Sequence, residues 1–161
     1  MNKHFLIGIT AATCSLNMYA DSINDYVNLQ INIMNFAELQ LTNSNQVIDA
    51  SYNGTVWSGS SINTPLGIST LSNDKVDMSF SFTTGSGAWQ NTETLGVTLL
   101  VGGATTGSIQ YLYSSGTNHE VLYPYQPKGS NEYSAFFTFT STNNDLAQSL
   151  TGTIEVTLTP Q

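Results

Sequence analysis

Few side chains in this 161-residue sequence could carry acid–base or nucleophilic chemistry. It has two histidines and one cysteine, and only His119 lies beyond residue 20. His119 lies in the polar run SGTNHE, which is typical of a hairpin tip, and no serine lies in the Gly-x-Ser-x-Gly context of a nucleophile elbow. We therefore predict a solvated loop histidine and no enzymatic activity, because a catalytic site needs several such groups held together.

The remaining polar motifs favour turns over binding sites. Asp74 and Asp77 lack the spacing, glycine and terminal glutamate of a calcium-binding loop, so neither a metal site nor a cofactor is predicted. Asn53 begins a glycosylation sequon that is better interpreted as a plain turn. Lys75 follows Asp74 in a polar turn, and no other feature of the sequence favours an intramolecular isopeptide link at Lys75 or Lys128.

The charge balance excludes one class of partner. Charged residues make up 9% of the chain, with three Lys and Arg against eleven Asp and Glu, and the net charge is −8. Nucleic acids and anionic lipid surfaces need clustered basic residues to replace their counterions. We therefore expect no nucleic-acid partner. Aromatic residues at 11% together with abundant Ser, Thr and Asn indicate a β-rich extracellular protein.

The N-terminus has the three parts of a secretory signal peptide. Lys3 supplies the positive charge, residues 5–16 form an apolar run too short to span a bilayer, and Ala20 ends a small-residue cleavage site. An acylated lipoprotein retaining Cys14 is the alternative, but the residues before Cys14 lack the usual leucine and small Gly or Ala. We predict export and cleavage after Ala20, which leaves a mature chain without cysteine.

Alternation of apolar and polar residues with period two dominates the mature chain and predicts strands that bury one face. Turn-forming Gly, Asn and Ser separate these runs, and no segment has a helical period. The sequence thus predicts an all-β, antiparallel β-sandwich that forms one domain, approximately residues 21–161. The clearest alternating positions are Val76, Met78, Phe80 and Phe82; Leu95, Val97, Leu99 and Val101; and Ile154, Val156 and Leu158.

Aromatic side chains are the remaining candidates for ligand contact. Flat rings on a polar surface stack on sugars, and the candidates are Trp57, Trp89, Tyr123 and Tyr125. The structural alternative is cross-strand pairing within one hairpin, residues 109–125, with Tyr111 and Tyr113 sharing a face as do Tyr123 and Tyr125. The sequence favours this second interpretation.

Alternating apolar strands stand at both ends of the mature chain. Residues 27–41 read VNLQINIMNFAELQL, an alternating extension, a short polar break and a second apolar strand, and residues 150–161 read LTGTIEVTLTPQ. With the missing cysteine, these features resemble a pilin (fimbrial subunit) of the chaperone–usher pathway, in particular the cysteine-free alternate, or colonisation-factor, class and the common-pilus subunit.

The resemblance implies an immunoglobulin-like sandwich over residues 35–161 that lacks its last strand, preceded by a donor-strand extension over residues 21–34. Such a subunit polymerises by donor-strand exchange in an adhesive pilus at the cell surface. Its implied partners are copies of itself or other pilins, a periplasmic chaperone and an outer-membrane usher. The implied donor-strand residues are Val27, Leu29, Ile31 and Ile33, and the implied groove-edge and chaperone-pairing residues are Ile154, Val156 and Leu158. A secreted β-sandwich adhesin or carbohydrate-binding module at the fibre tip, contacting a host glycan or receptor, is the alternative.

Overall fold

The structure is a computed structural model that describes residues 35–143 and 149–161. All regular elements in these two ranges are strands, and the two ranges contain no helix that is long and apolar enough to cross a membrane. The predicted signal peptide and extension lie outside the described residues. The strands are β1 Ala37–Thr42, β2 Ser51–Tyr52, β3 Trp57–Ser60, β4 Leu66–Ser72, β5 Val76–Thr84, β6 Glu93–Val101, β7 Ala104–Thr105, β8 Gln110–Ser114, β9 Thr117–Asn118, β10 Glu120–Gln126, β11 Gly129–Ser141 and β12 Gly152–Pro160.

The strands form two antiparallel sheets. The larger sheet has the order β1-β4-β11-β6-β8-β9, with β3 beside the second half of β11, β2 beside β3, and β7 beside β6. The smaller sheet has the order β10-β5-β12. The all-β, antiparallel prediction is confirmed.

Alternation in the sequence explains which face of each strand is buried. In β5, Val76, Met78, Phe80 and Phe82 are buried while the serines between them are partly exposed. Buried side chains from β4, β6, β8 and β11 of the larger sheet join those of β5 and β10 of the smaller sheet in one apolar cluster. Two sheets that share one core in this way are β-sandwich-like.

Two short turns have the backbone that tight hairpins require. Gly102 and Gly103 both have positive φ, 59° and 83°, between the paired residues Val101 and Ala104. Ser115 and Gly116 repeat the pattern at 51° and 78° between β8 and β9. Positive φ at both central residues gives the twist that matches antiparallel strands.

The prediction of a single hairpin over residues 109–125 is wrong. β8 pairs with β6 and β9 in the larger sheet, whereas β10 pairs with β5 in the smaller one. The chain crosses from the larger sheet to the smaller sheet around His119. Beyond this crossing, Val121 lies opposite Phe80 and packs into the core from the smaller sheet.

The shared faces predicted for the tyrosines are also wrong, because a register irregularity interrupts each strand. Tyr113 is buried beside the fully buried Leu112, while Tyr111 is 54% exposed. On β10, the register shifts between Tyr123 and Gln126, and Tyr125 takes φ 59°. Tyr123 therefore packs on the core, and Tyr125 is 68% exposed.

Phe80→Ala tests the position of the core. Phe80 is fully buried at the centre of β5, so its truncation removes apolar burial and leaves a cavity. We expect a loss of about 3–5 kcal/mol in the free energy of unfolding, measured by urea denaturation. Leu122→Ala, on the exposed face of neighbouring β10, is the control and should change it by less than about 0.5 kcal/mol. Equal effects would contradict the assigned core.

Candidate functional site

β12 is an edge strand whose apolar face points into the sandwich. It pairs along its full length with β5, and no other strand in the described ranges pairs with its second edge. Ile154, Val156 and Leu158 are half-buried against the core, while Glu155 and Thr157 between them are exposed. An edge with unpaired main-chain groups is a template for another strand.

An apolar groove lies beside this edge. It is a cavity of about 630 Å³ between the two sheets, and core side chains from both sheets line it. On the β12 side, it is lined by Gly152, Ile154 and Val156. The other apolar lining residues are Leu41, Val47, Ile48, Ala50, Trp57, Leu66, Phe82, Trp89, Leu95, Phe137, Phe139 and Leu150.

The wall opposite β12 is an extended stretch of chain, residues 44–50, that we call the rim segment. Its burial alternates, since Gln46, Ile48 and Ala50 are half-buried while Val47 and Asp49 are exposed. Ile48 packs on the core cluster. Among the described residues, no main-chain group of the rim segment bonds to another main-chain group. The rim segment thus has the alternating burial of a strand but pairs with no strand of the described residues.

Gly59 allows the rim segment to pack closely on β3. It lies on β3 opposite Phe139, whose side chain is buried. A Cβ at Gly59 would lie 2.7 Å from both the Asp49 carbonyl oxygen and the Ile48 Cγ2 atom. The rim segment therefore packs on the core-facing side of β3, displaced from the larger sheet toward the smaller one. The groove lies between it and β12.

A clamp at Thr151 holds the end of the groove nearest Gly152. The Thr151 carbonyl accepts hydrogen bonds from the Gly85 N–H at 2.8 Å and from the Trp89 indole Nε1 at 2.8 Å, and the Thr151 N–H donates to the Ser86 carbonyl. The Trp89 ring packs edge-on against Phe82, 5.1 Å between centroids. Trp89 is thereby fixed as a wall of the groove.

Hydrogen bonds close the seam at the other end of β12. The Asn35 Nδ2 donates to the Gln161 carbonyl at 3.0 Å and to the Asp74 carboxylate at 3.4 Å. The Gln161 N–H donates to the Lys75 carbonyl at 2.9 Å and so extends the ladder with β5, while β1 lies alongside β12 on the other side. The seam between β1 and β12 is thus closed near Gln161 and open toward Gly152.

The groove lining also contains the polar residues Ser44, Gln46, Asp49, Ser149 and Thr151. Gln46 Oε1 and Trp57 Nε1, one acceptor and one donor, are buried without a hydrogen-bond partner within the described structure. One free acceptor and one free donor beside apolar side chains suit an occupant that offers main-chain amides together with apolar side chains.

Behind the groove, Glu93 is fully buried and accepts from the Thr92 and Ser141 hydroxyls at 2.9 and 3.0 Å. Burial, and secondarily the charge of Glu93, raises the pKa of Tyr113, whose hydroxyl donates to the Gln90 carbonyl at 3.0 Å. These bonds fix the turn that leads into β6.

The structure brings only some of the predicted site residues together. Ile154 and Val156 line the groove, whereas Leu158 packs on the core beyond its lining. The donor-strand residues Val27, Leu29, Ile31 and Ile33 lie outside the described residues.

The four candidate aromatics do not form one platform. Trp57 and Trp89 line the groove, and the Trp57 ring lies 5.3 Å from that of Tyr52. Tyr123 and Tyr125 lie on β10, at the opposite edge of the smaller sheet.

His119 and the carboxylates form no recognisable reactive site in the described ranges. The His119 Nε2 lies 3.0 Å from the Ser114 hydroxyl at the β9 turn. No three His, Cys, Asp or Glu side chains of residues 35–143 and 149–161 gather closely enough to hold a metal ion.

Sequence reasoning missed three structural features of this site. The sequence patterns do not single out Gly59 and the rim segment, Glu93, or Thr151. The alternation of Gln46, Ile48 and Ala50 was a usable signal for an extended segment. No sequence pattern around Gly59 indicates that the rim segment packs on it.

Comparison of the chain with known protein families, with curated proteins and with solved structures finds no match.

Gly59→Ala tests the packing of the rim segment. The added methyl group meets backbone, which cannot swing away as a flexible side chain would. We expect about 1–3 kcal/mol of destabilisation in urea unfolding. Ser58→Ala, on the exposed face of the same strand, should be nearly neutral. A neutral Gly59→Ala would contradict the close packing of residues 48–50 on β3.

Proposed function

We propose that the chain is a structural subunit of an extracellular adhesive pilus. The subunit is an immunoglobulin-like sandwich without its last strand. It polymerises by donor-strand exchange, in which the N-terminal extension of one copy fills the groove of the next. The fibre contributes to cell adhesion.

The observation that carries this proposal is the position of the groove, between the second edge of β12 and a segment with which no strand of the described residues pairs. β12 offers a free edge on one side, and the rim segment lacks main-chain partners in the described structure on the other. Buried or half-buried backbone groups require hydrogen-bond partners. A strand inserted between the two would supply them, while its alternate side chains would enter the apolar cavity.

Residues 27–33 have the pattern of such a strand. Val27, Leu29, Ile31 and Ile33 alternate with polar residues, so one face of the strand would be entirely aliphatic. Each aliphatic side chain that becomes fully buried contributes about 1.5–3 kcal/mol. Together with main-chain bonds along β12, this supports a slowly dissociating contact.

The geometry of exchange produces a filament. The donor surface and the acceptor surface are different parts of the subunit. Each assembly therefore keeps one free donor surface and one free acceptor surface at its ends, and it does not close on itself. Until a donor arrives, the open groove is an aggregation hazard. A periplasmic chaperone would cover it after export, and an outer-membrane usher would catalyse the exchange.

Val156→Asp tests strand insertion. The substitution places a carboxylate in the groove lining, where an inserted aliphatic strand would bury it without a partner. We expect loss of polymers, measured by sedimentation velocity of the mature chain, while circular dichroism still reports a β-sheet fold. Thr157→Asp, on the outward face of the same strand, is the matched control and should assemble normally. Normal polymers from Val156→Asp would contradict the proposal.

Carbohydrate binding is a second candidate function, favoured by one observation. Tyr125 is 68% exposed and is held at φ 59° with its N–H bonded to the Asp77 carboxylate at 2.9 Å. Strained backbone clusters at functional sites, and an exposed ring can stack on a sugar. On a glycan array, Tyr125→Ala should abolish binding without changing assembly, whereas Leu122→Ala on the same strand should retain it. Glycan binding unaffected by Tyr125→Ala would exclude this role.

A further inference from the structure

The open edge of β12 is shorter than the predicted donor strand. The groove is lined by this strand at Gly152, Ile154 and Val156 but not at Leu158. At about 3.4 Å per residue, residues 152–156 span about 14 Å. That length accommodates three inward-pointing side chains of a partner strand, whereas the extension offers four.

The regular edge does not continue before Gly152. The Thr151 main chain bonds to both Gly85 and Ser86. Two residues that follow β5 thus lie opposite one residue that precedes β12, as in a β-bulge. Leu150 lines the end of the groove but lies against the loop, since its Cδ2 atom would lie 2.7 Å from a Cβ at Gly87, so it lies outside the ladder. The ladder available in the groove therefore covers residues 152–156.

The closed end of the seam fixes the direction of the inserted strand. Near Gln161 the seam is closed by Asn35 and by β1, so the chain that connects a donor strand to its own subunit cannot leave there. It leaves past Gly152 at the Trp89 end. A strand whose C-terminal end lies at Gly152 runs antiparallel to β12.

The length of chain that connects the donor strand to its own subunit then selects the register. Asn35 and Phe36 are fixed to their own subunit, with the Phe36 N–H 2.9 Å from the Asn73 Oδ1. If Ile33 were seated in a neighbouring groove, Met34 alone would connect the two subunits, allowing about 7 Å between the α-carbons of residues 33 and 35. If Ile31 is the last seated residue, residues 32–34 connect them and allow about 14 Å.

We propose that Val27, Leu29 and Ile31 of one copy fill the groove of the next, antiparallel to β12, while Ile33 lies at the junction between subunits. Val27 then lies opposite Val156, Leu29 opposite Ile154 and Ile31 opposite Gly152. Asp25, the next residue on that face, falls beyond the apolar lining. This register rests on the proposed donor-strand exchange and deepens it by assigning the seated residues.

Disulfide trapping between full-length mature chains tests the register. One chain carries Val156→Cys, and it is mixed in turn with chains carrying Val27→Cys, Leu29→Cys, Ile31→Cys or Ile33→Cys. Directly opposed residues lie within the range of a disulfide, whereas diagonal neighbours at about 7–8 Å lie outside it. After oxidation, non-reducing electrophoresis should show the Val27→Cys heterodimer at about tenfold the yield of the others.

Each alternative outcome has a distinct meaning. Dominant trapping by Leu29→Cys would shift the register by two residues and seat Ile33, which overturns this inference but not the proposed function. Dominant trapping by Ile31→Cys would indicate a parallel strand and would also overturn it. No intermolecular disulfide from any of the four folded pairs would contradict donor-strand exchange itself.

A pair of serine substitutions gives a second readout. Leu29→Ser removes a seated side chain and should weaken subunit association about ten- to hundredfold, by sedimentation. Ile33→Ser changes a junction residue and should leave association within about twofold. Equal losses from both would overturn the assignment of Ile33.

Discussion

The second edge of β12, with which no strand of residues 35–143 and 149–161 pairs, is the constraint on which the rest of the site depends. Main-chain N–H and C=O groups beside an apolar cavity need partners, and β5 supplies them on one side only. The cavity beyond this edge is lined by core side chains of both sheets. A single strand would satisfy both demands at once, pairing with the edge and filling the cavity.

Contacts at the two ends of the groove and along its far wall define its shape. Thr151 clamps Trp89 at one end, and Asn35 bonds to Gln161 at the other. Along the far wall, Gly59 admits the rim segment beneath β3, which leaves room between that segment and β12. These contacts come from distant parts of the chain, so the groove is a property of the folded subunit.

Local patterning was sufficient for much of the fold. The strict alternation of β5 and the paired turn residues at Gly102 and Gly103 predicted strands and a hairpin that the structure contains. The inward face of Ile154 and Val156 followed from the same period. Relations between distant segments were not predictable in this way. The crossing at His119 and the buried Glu93 both depend on which strands become neighbours, and a single sequence does not specify that.

The most direct test compares the mature chain with a version lacking residues 21–33 by sedimentation velocity across a range of concentrations. The account predicts linear oligomers that lengthen with concentration for the full chain. The shortened chain should form none alone and should shorten the oligomers when mixed with the full chain, because it accepts a strand but donates none. A full chain that stays monomeric at all concentrations, with Leu29 and Ile31 protected from hydrogen exchange inside one molecule, would contradict it.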